Sequence, residues 1–271
     1  MTDGGPAALF EALVPVLLKA RAAILDVWAS GQYETHAKSD ASPVTRADKA
    51  SHHILVDGLS RLWPEIPVVS EESAEHETLP EFSRFWLVDP LDGTKEFLRG
   101  SGEFTINVAL VDEGLPVFGV VDVPLARLMY AGGDGRGWRR DDRGVQPLAA
   151  LAPDGAAAGW VVAVSRSHRD ATFEAWLQAQ GIVAREVRFA GSALKFCWIA
   201  EGTADVYPRL KPTMAWDTAA GQALVEAMGG QVLDLSGRPL RYRSTSLVNP
   251  SFVAFSQKAK AAGIVPTAGR R

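Results

Sequence analysis

A chain of 271 residues, 47% hydrophobic and 22% charged, is long enough to enclose a substantial apolar core, and this balance excludes a fibrous, repetitive or extensively disordered protein. Its 28 Lys and Arg against 32 Asp and Glu leave a formal charge of −4, which offers no basic field to a nucleic-acid backbone, so no polymer partner is expected. The lone cysteine, Cys197, cannot form an internal disulfide and lies in an apolar run, which fits a reducing cytoplasm.

The opening segment mixes early acidic residues with Pro15, Lys19 and Arg21 among its apolar positions, so neither a signal peptide nor a membrane span is expected. Apolar residues at helical spacing from Ala7 to Trp28 predict an amphipathic helix bent near Pro15. After a polar stretch from Gly31 to Ser42, Ile54, Leu55, Leu59 and Leu62 mark a second helix that ends before Pro64. Pro67 to Ser70 and Arg84 to Val88 read as strands, the second stopping at Asp89-Pro90.

Phe104 to Val111, Pro116 to Val123, Leu128 to Ala131 and Gly137 to Arg140 then predict an antiparallel meander, with turns at Asp112-Glu113-Gly114 and in GGDGRG. The Ala/Pro/Gly-rich stretch from Ala149 to Gly159 reads as a linker, dividing the chain into an N-terminal subdomain of helices on an antiparallel sheet, 1–150, and a C-terminal α/β subdomain, 151–271. In the latter, Trp160 to Ser165 is strand-like, while Thr172 to Gln180, Ala193 to Glu201 and Thr218 to Met228 are helical, the last closed by Gly229-Gly230. The final GIVPTAGRR reads as a frayed tail. The fold class is α/β.

The densest chemistry lies where the strand 86–88 runs into Asp89 and Asp92, followed by Gly93-Thr94 opening a helix. Mg²⁺ is typically held by one or two carboxylates plus substrate phosphate oxygens, and Asp89, Asp92 and the Leu91 carbonyl supply such a half-cage. The amides of Gly93 and Thr94 would face a phosphate, favoured by the helix dipole. An isolated Asp-x-x-Asp reads more readily as an acidic turn with Asp92 as a cap. Here Ser70-Glu71-Glu72 follows another strand and Trp216-Asp217-Thr218 starts a helix, so four carboxylates sit at element ends and suit a pair of metals.

The segments VSEES, WLVDPLDGTKEF and WDTAAGQAL resemble, in order, the three signature segments of the inositol monophosphatase superfamily. Within it the chain is most similar to the CysQ-type 3′(2′),5′-bisphosphate nucleotidases, through SPVTRADKASH, DPLDGTKEFLRGSGEFTIN, VSRSH, GSALKFCWIAEG and YPRLKPTMAWDTAAG, a likeness running from about Ser42 to Asn249. The resemblance implies a layered αβαβα sandwich and two or three Mg²⁺ ions. Glu71 and Asp89 would hold one metal, Asp89, Asp92 and Asp217 a second, with the Leu91 carbonyl as a further ligand. It assigns Asp48 and Thr94, helped by Glu71, to orienting or deprotonating the attacking water.

His168, beside Ser167, together with Ser192, Lys195 and Arg209 would hold a 5′-phosphate or nucleoside, alongside Leu91, Asp92, Gly93, Thr94 and Asp217 around the reacting group. The implied reaction is hydrolysis of adenosine 3′,5′-bisphosphate to AMP and phosphate, recycling a by-product of sulfur assimilation, with the sulfated nucleotide as a second substrate and lithium as an inhibitor. Taken singly, Asp48 reads as a helix-start residue, Thr94 as a cap, Lys195 as a solvated helix cation and His168 as a loop histidine. An inositol monophosphatase and a non-catalytic metal-binding regulatory protein are the rival readings. Oligomeric state, the number of metals and loose peripheral membrane association stay open at this level.

Overall fold

The computed structural model describes residues 4–33, 36–37, 43–73, 82–149, 159–166, 171–243 and 246–264. The chain opens with helix α1 (Gly5–Ser30), passes through a two-stranded antiparallel pair, β1 (His36–Ala37) and β2 (Pro43–Val44), and enters α2 (Arg46–Leu62). There follow β3 (Val68–Ser70), β4 (Arg84–Asp92), the short α3 (Thr94–Leu98), β5 (Thr105–Asp112), β6 (Leu115–Val123), β7 (Leu128–Gly133), β8 (Arg136–Asp141) and β9 (Gly144–Pro147). These seven strands form one sheet in sequence order, parallel between β3 and β4 and antiparallel from there on.

The second half contributes β10 (Trp160–Ser165), α4 (Ala171–Ala179), β11 (Ala184–Ala190), α5 (Leu194–Glu201), β12 (Val206–Arg209), α6 (Ala215–Ala227), β13 (Gln231–Asp234), β14 (Phe252–Phe255) and α7 (Gln257–Ala261). Its five strands form a separate sheet in the order β11-β10-β12-β14-β13.

Side-chain alternation along the strands explains the stacking. Trp86, Val88, Ile106, Val108, Leu110, Phe118 and Val120 share a buried cluster with Leu9, Phe10, Leu13 and Leu17 of α1 and Leu55 and Leu59 of α2. The alternate residues Phe85, Leu87, Ala109, Val111, Val121 and Tyr130 pack instead with Phe196 of α5 and Ala219, Ala220 and Leu224 of α6. The far face of the second sheet, through Val162, Val164, Val206 and Val253, meets Phe173 and Leu177 of α4 and Ala259 of α7. The order is therefore helices, sheet, helices, sheet, helices, the five-layer α/β sandwich that the resemblance implies. The middle helices share one core with strands of both halves, so α6 can carry a residue to the ends of first-half strands.

Several expectations need correction. The second strand does not stop at Asp89-Pro90 but continues to Asp92, with a register shift between Asp89, opposite Asn107, and Asp92, opposite Thr105. One extra residue on β4 makes a bulge, which accommodates a proline that has no amide hydrogen to give the ladder. The third helix of the second half begins at Ala215 rather than Thr218, which brings Asp217 into its first turn. Strand β11 escaped notice because Arg185, Glu186 and Arg188 break its apolar pattern at a sheet edge, and β9 and β12–β14 are only four residues each. Pro15 lies inside a helix assigned without interruption. Most of the stretch read as a linker and all but the first two residues of the tail fall outside the described residues.

Candidate active site

Three carboxylates, Asp89, Asp92 and Asp217, each offer an oxygen within 4.8 Å of the others. The β4 bulge presents the first two: Leu91 N donates to Asp89 Oδ1 at 3.0 Å, and Asn107 Nδ2 on the neighbouring strand donates to Asp92 Oδ2 at 3.2 Å. Asp217 Oδ2 accepts Met214 N at 2.8 Å, and Asp217 N donates to Met214 O at 3.2 Å. Asn249 Nδ2 donates to Met214 O at 2.7 Å and to the Thr218 hydroxyl at 2.9 Å, tying the residues on both sides of Asp217. Glu71 follows β3, where its amide donates to Val88 O at 3.0 Å.

Burial pushes the Asp89 carboxyl well above the carboxylate range, and the charges of Glu71, Asp92 and Asp217 push it further. Asp217 is raised by burial and then by Asp92; Asp92 is raised by burial, with Lys195 and the Asn107 hydrogen bond opposing. Four hard oxygen donors that repel one another when ionised fit a divalent cation, which would relieve both the repulsion and the desolvation. The residues present therefore match the metal that the motifs imply, and the Leu91 carbonyl, 3.2 Å from Thr94 Oγ1, has lone pairs free for it when that hydroxyl donates elsewhere.

Asp48 divides its two oxygens between two jobs. Oδ2 closes the capping box of α2, accepting Thr45 N at 2.7 Å and Thr45 Oγ1 at 2.5 Å. Oδ1 accepts Thr94 Oγ1 at 3.1 Å. The helix-start reading and the catalytic reading thus describe different atoms of one side chain. Burial raises the Asp48 carboxyl to about 6, partly offset by its bonds to Thr45. The helix opened by Gly93-Thr94 has only five residues, so the dipole expected there adds little to any anion site.

Ser192, Lys195 and Arg209 line a cleft of about 170 Å³ together with Asp92, Gly93 and Asp217. Lys195 is not a solvated helix cation: it is 2% exposed, and Nζ donates to Ala190 O at 3.1 Å and Ser192 O at 2.5 Å while lying 5.2 Å from the centre of the Tyr207 ring. Burial lowers its pKa to about 8, against the pull of Asp92. Two further donors, Ser192 Oγ and Arg209 Nε, are buried without a hydrogen-bond partner among the described residues. Buried polar atoms are normally satisfied, so these two mark places for ligand acceptors. Ser167 and His168 lie outside the described residues.

Sequence reasoning missed Asn107, Lys95 and Glu96. Asn107 supports Asp92, and its signal was a pair of polar residues, Thr105 and Asn107, at alternate positions of an otherwise apolar strand. Lys95 and Glu96 line the cleft directly after the acidic motif. A larger cavity of about 540 Å³ lies between the start of α1, the β6–β7 region and the end of α6, and contains none of the clustered carboxylates. The chemistry therefore points to the smaller cleft. Among the described residues no helix is long and apolar enough to cross a membrane.

Residues 7–270 match the inositol monophosphatase family. A 3′(2′),5′-bisphosphate nucleotidase CysQ of Shigella flexneri is 46% identical over 218 residues, covering 80% of this chain and 86% of that protein. The protein of the same name from Salmonella typhimurium strain LT2 is 41% identical over 250 residues, 90% of this chain and 98% of its own. The crystal structure of CysQ from Bacteroides thetaiotaomicron superposes with a TM-score of 0.78 at 33% identity, covering 91% of this chain and 96% of that one.

Proposed function

Since the chain belongs to the inositol monophosphatase family, we propose that it is a phosphoric monoester hydrolase of the 3′(2′),5′-bisphosphate nucleotidase type, converting adenosine 3′,5′-bisphosphate to AMP and phosphate. The observation that carries the substrate choice is the pair of buried donors, Ser192 Oγ and Arg209 Nε, unpartnered among the described residues and in the cleft shared with Asp92 and Asp217. A substrate with one phosphate at the carboxylate cluster and a second acceptor group in the cleft satisfies both ends. A monophosphorylated polyol leaves the second end unanswered, which favours the nucleotide over the inositol reading.

Glu71, Asp89, Asp92, Asp217 and the Leu91 carbonyl would hold magnesium, two or three ions in all, which when bound neutralises phosphoryl charge and acidifies the attacking water. The remaining work belongs to side chains. Thr94 Oγ1 donates to Asp48 Oδ1 and so turns its lone pairs toward water, from which a proton passes through the hydroxyl to the carboxylate. Asp48, raised to about 6, is mostly ionised at neutral pH yet basic enough to take that proton. Lys195 keeps its charge below a pKa of about 8 and offsets the charge of Asp92. His168 joins Ser192, Lys195 and Arg209 in the proposed hold on the second phosphate and nucleoside.

Recycling of a sulfur-assimilation by-product in the cytoplasm, and inhibition by lithium, belong to the same reading. Phosphate release from adenosine 3′,5′-bisphosphate, AMP and inositol 1-phosphate, each with magnesium or with chelator, tests it. Preferential hydrolysis of the bisphosphate in magnesium alone is expected. Equal turnover of all three, or turnover in chelator, would refute it.

A further inference from the structure

Glu103 lies in the loop between α3 and β5, outside the carboxylate cluster, yet its carboxylate reaches the second half of the chain. Oε2 accepts Gly191 N at 2.9 Å and Arg166 Nε at 2.9 Å, while Arg166 Nη2 donates to Oε1. Arg166 follows β10, and its own amide donates to Ala190 O at 3.3 Å, so the pair spans the exits of two adjacent parallel strands. The Arg166 hydrogen bonds hold the Glu103 carboxyl below its ordinary range, with Gly191 N assisting against partial burial.

The backbone of Glu103 is wedged as tightly as its side chain is tied. A Cβ on Gly191 would lie 2.8 Å from Glu103 O, and one on Gly93 would lie 3.0 Å from the same oxygen. Gly93 adjoins Asp92 and Thr94; Gly191 adjoins Ser192. One peptide unit therefore sets the spacing between the turn that bears Asp92 and Thr94 and the turn that bears the Ser192 hydroxyl. Ser192 itself has φ 46°, a left-handed conformation that a non-glycine residue keeps only when its surroundings impose it. The ties on this turn include Gly191 N to Glu103 and Lys195 Nζ to the carbonyls of Ala190 and Ser192. The Lys195 bonds stay within the second half, whereas the Glu103 bond crosses from the first.

We propose that Glu103, held by Arg166, is a positioning residue for substrate selection: it clamps the 190–193 turn at a set distance from the Asp92–Thr94 turn, so that Ser192 and Lys195 meet the non-reacting phosphate while the other phosphate occupies the carboxylate site. The inference rests on the bisphosphate reading above. Its consequence is selective. Loosening the clamp weakens the grip on the second phosphate and leaves intact the groups that act on the first.

The test uses the full-length enzyme in magnesium, with adenosine 3′,5′-bisphosphate compared in parallel with adenosine 3′-monophosphate, which keeps the reacting phosphate and lacks the other. Glu103→Ala is expected to raise KM for the bisphosphate about tenfold with kcat within about threefold, and to change neither parameter for adenosine 3′-monophosphate by more than about twofold. Glu103→Gln keeps an acceptor for Gly191 N and should recover most of the KM. Arg166→Ala should show an intermediate rise, and Glu103→Ala/Arg166→Ala should be no worse than Glu103→Ala, because the two side chains act through one contact.

Equal losses on both substrates, a fall in kcat at unchanged KM, or Glu103→Ala kinetics like wild type would overturn the inference. If Glu103→Ala does not fold, Arg166→Ala, which alters a half-exposed side chain, takes its place: a rise in KM confined to the bisphosphate supports the clamp, and its absence overturns it. Wild-type kinetics alone decide the underlying reading. A wild type that prefers the bisphosphate with unselective variants removes only the role of Glu103, whereas one that ignores the bisphosphate removes both.

Discussion

Thr94 Oγ1 lies 3.1 Å from Asp48 Oδ1, joining the first turn of α2 to the first turn of α3. If the proposed relay from hydroxyl to carboxylate oxygen operates, Thr94→Ala and Asp48→Asn should each lower kcat about a hundredfold with KM within about threefold. The double variant should be little worse than either single one, and steady-state kinetics on the three proteins read this directly. Additive losses would mean that the two side chains work separately.

The same pair sets an acid limb. With Asp48 raised to about 6, the ionised base is present above that pH and lost below it, so kcat should fall about tenfold per pH unit on the acid side of 6. In Asp48→Asn the residual rate should lose this dependence. A pH–rate series on wild type and variant checks both statements.

Burial and the charges of Glu71, Asp92 and Asp217 all disfavour ionised Asp89. Asp89→Asn should therefore abolish magnesium-dependent activity and at the same time raise the melting temperature of the metal-free protein. Magnesium should raise the wild-type melting temperature much more than that of the variant. Thermal melts in chelator and in magnesium would separate a metal site from a merely structural acidic cluster.

Arg209 and Lys195 should not behave alike, although both cations face the cleft. Arg209 presents a buried Nε without a partner among the described residues, so Arg209→Met should cut kcat/KM for the bisphosphate by about ten- to a hundredfold, equivalent to about 1.5–3 kcal/mol, and leave inositol 1-phosphate hydrolysis nearly unchanged. Lys195 also ties two carbonyls and faces Asp92, so Lys195→Met should impair both substrates and lower stability. Equal, substrate-selective losses would contradict this division.

Far from the cleft, Arg21 of α1 donates through Nε to Asp122 Oδ2 at 3.1 Å and through Nη2 to Oδ1, and both side chains are almost wholly buried. Burial raises Asp122 to about 6 even against the pull of Arg21. A carboxyl whose folded pKa exceeds its unfolded one penalises the fold above the folded value, and the penalty disappears below the unfolded value near 3.8. Arg21→Met removes the compensating cation and should destabilise by about 3–5 kcal/mol at pH 7.5, with a smaller loss at pH 5 as Asp122 protonates. Denaturant titrations at the two pH values measure the difference.

The sequence by itself determined which residues could carry metal chemistry, because carboxylates, strand ends and helix starts are specified within short stretches such as 86–97 and 214–218. Hydrophobic periodicity likewise foretold most of the helices and the long strands, since amphipathic burial leaves its trace locally. The path of β4 through Pro90 was decided by its ladder with β5, which allows a bulge where local rules call for a stop. The burial of Lys195 was decided by packing of α5 between two sheets, against a propensity that places lysine in solvent. Contacts between residues 46 and 88 positions apart divided the oxygens of Asp48 and joined Glu103 to Gly191. No local pattern encodes such partners: their distances arise only when both sheets and the helices between them have closed on shared cores, and there the cost of an unsatisfied buried group selects the hydrogen bonds that survive.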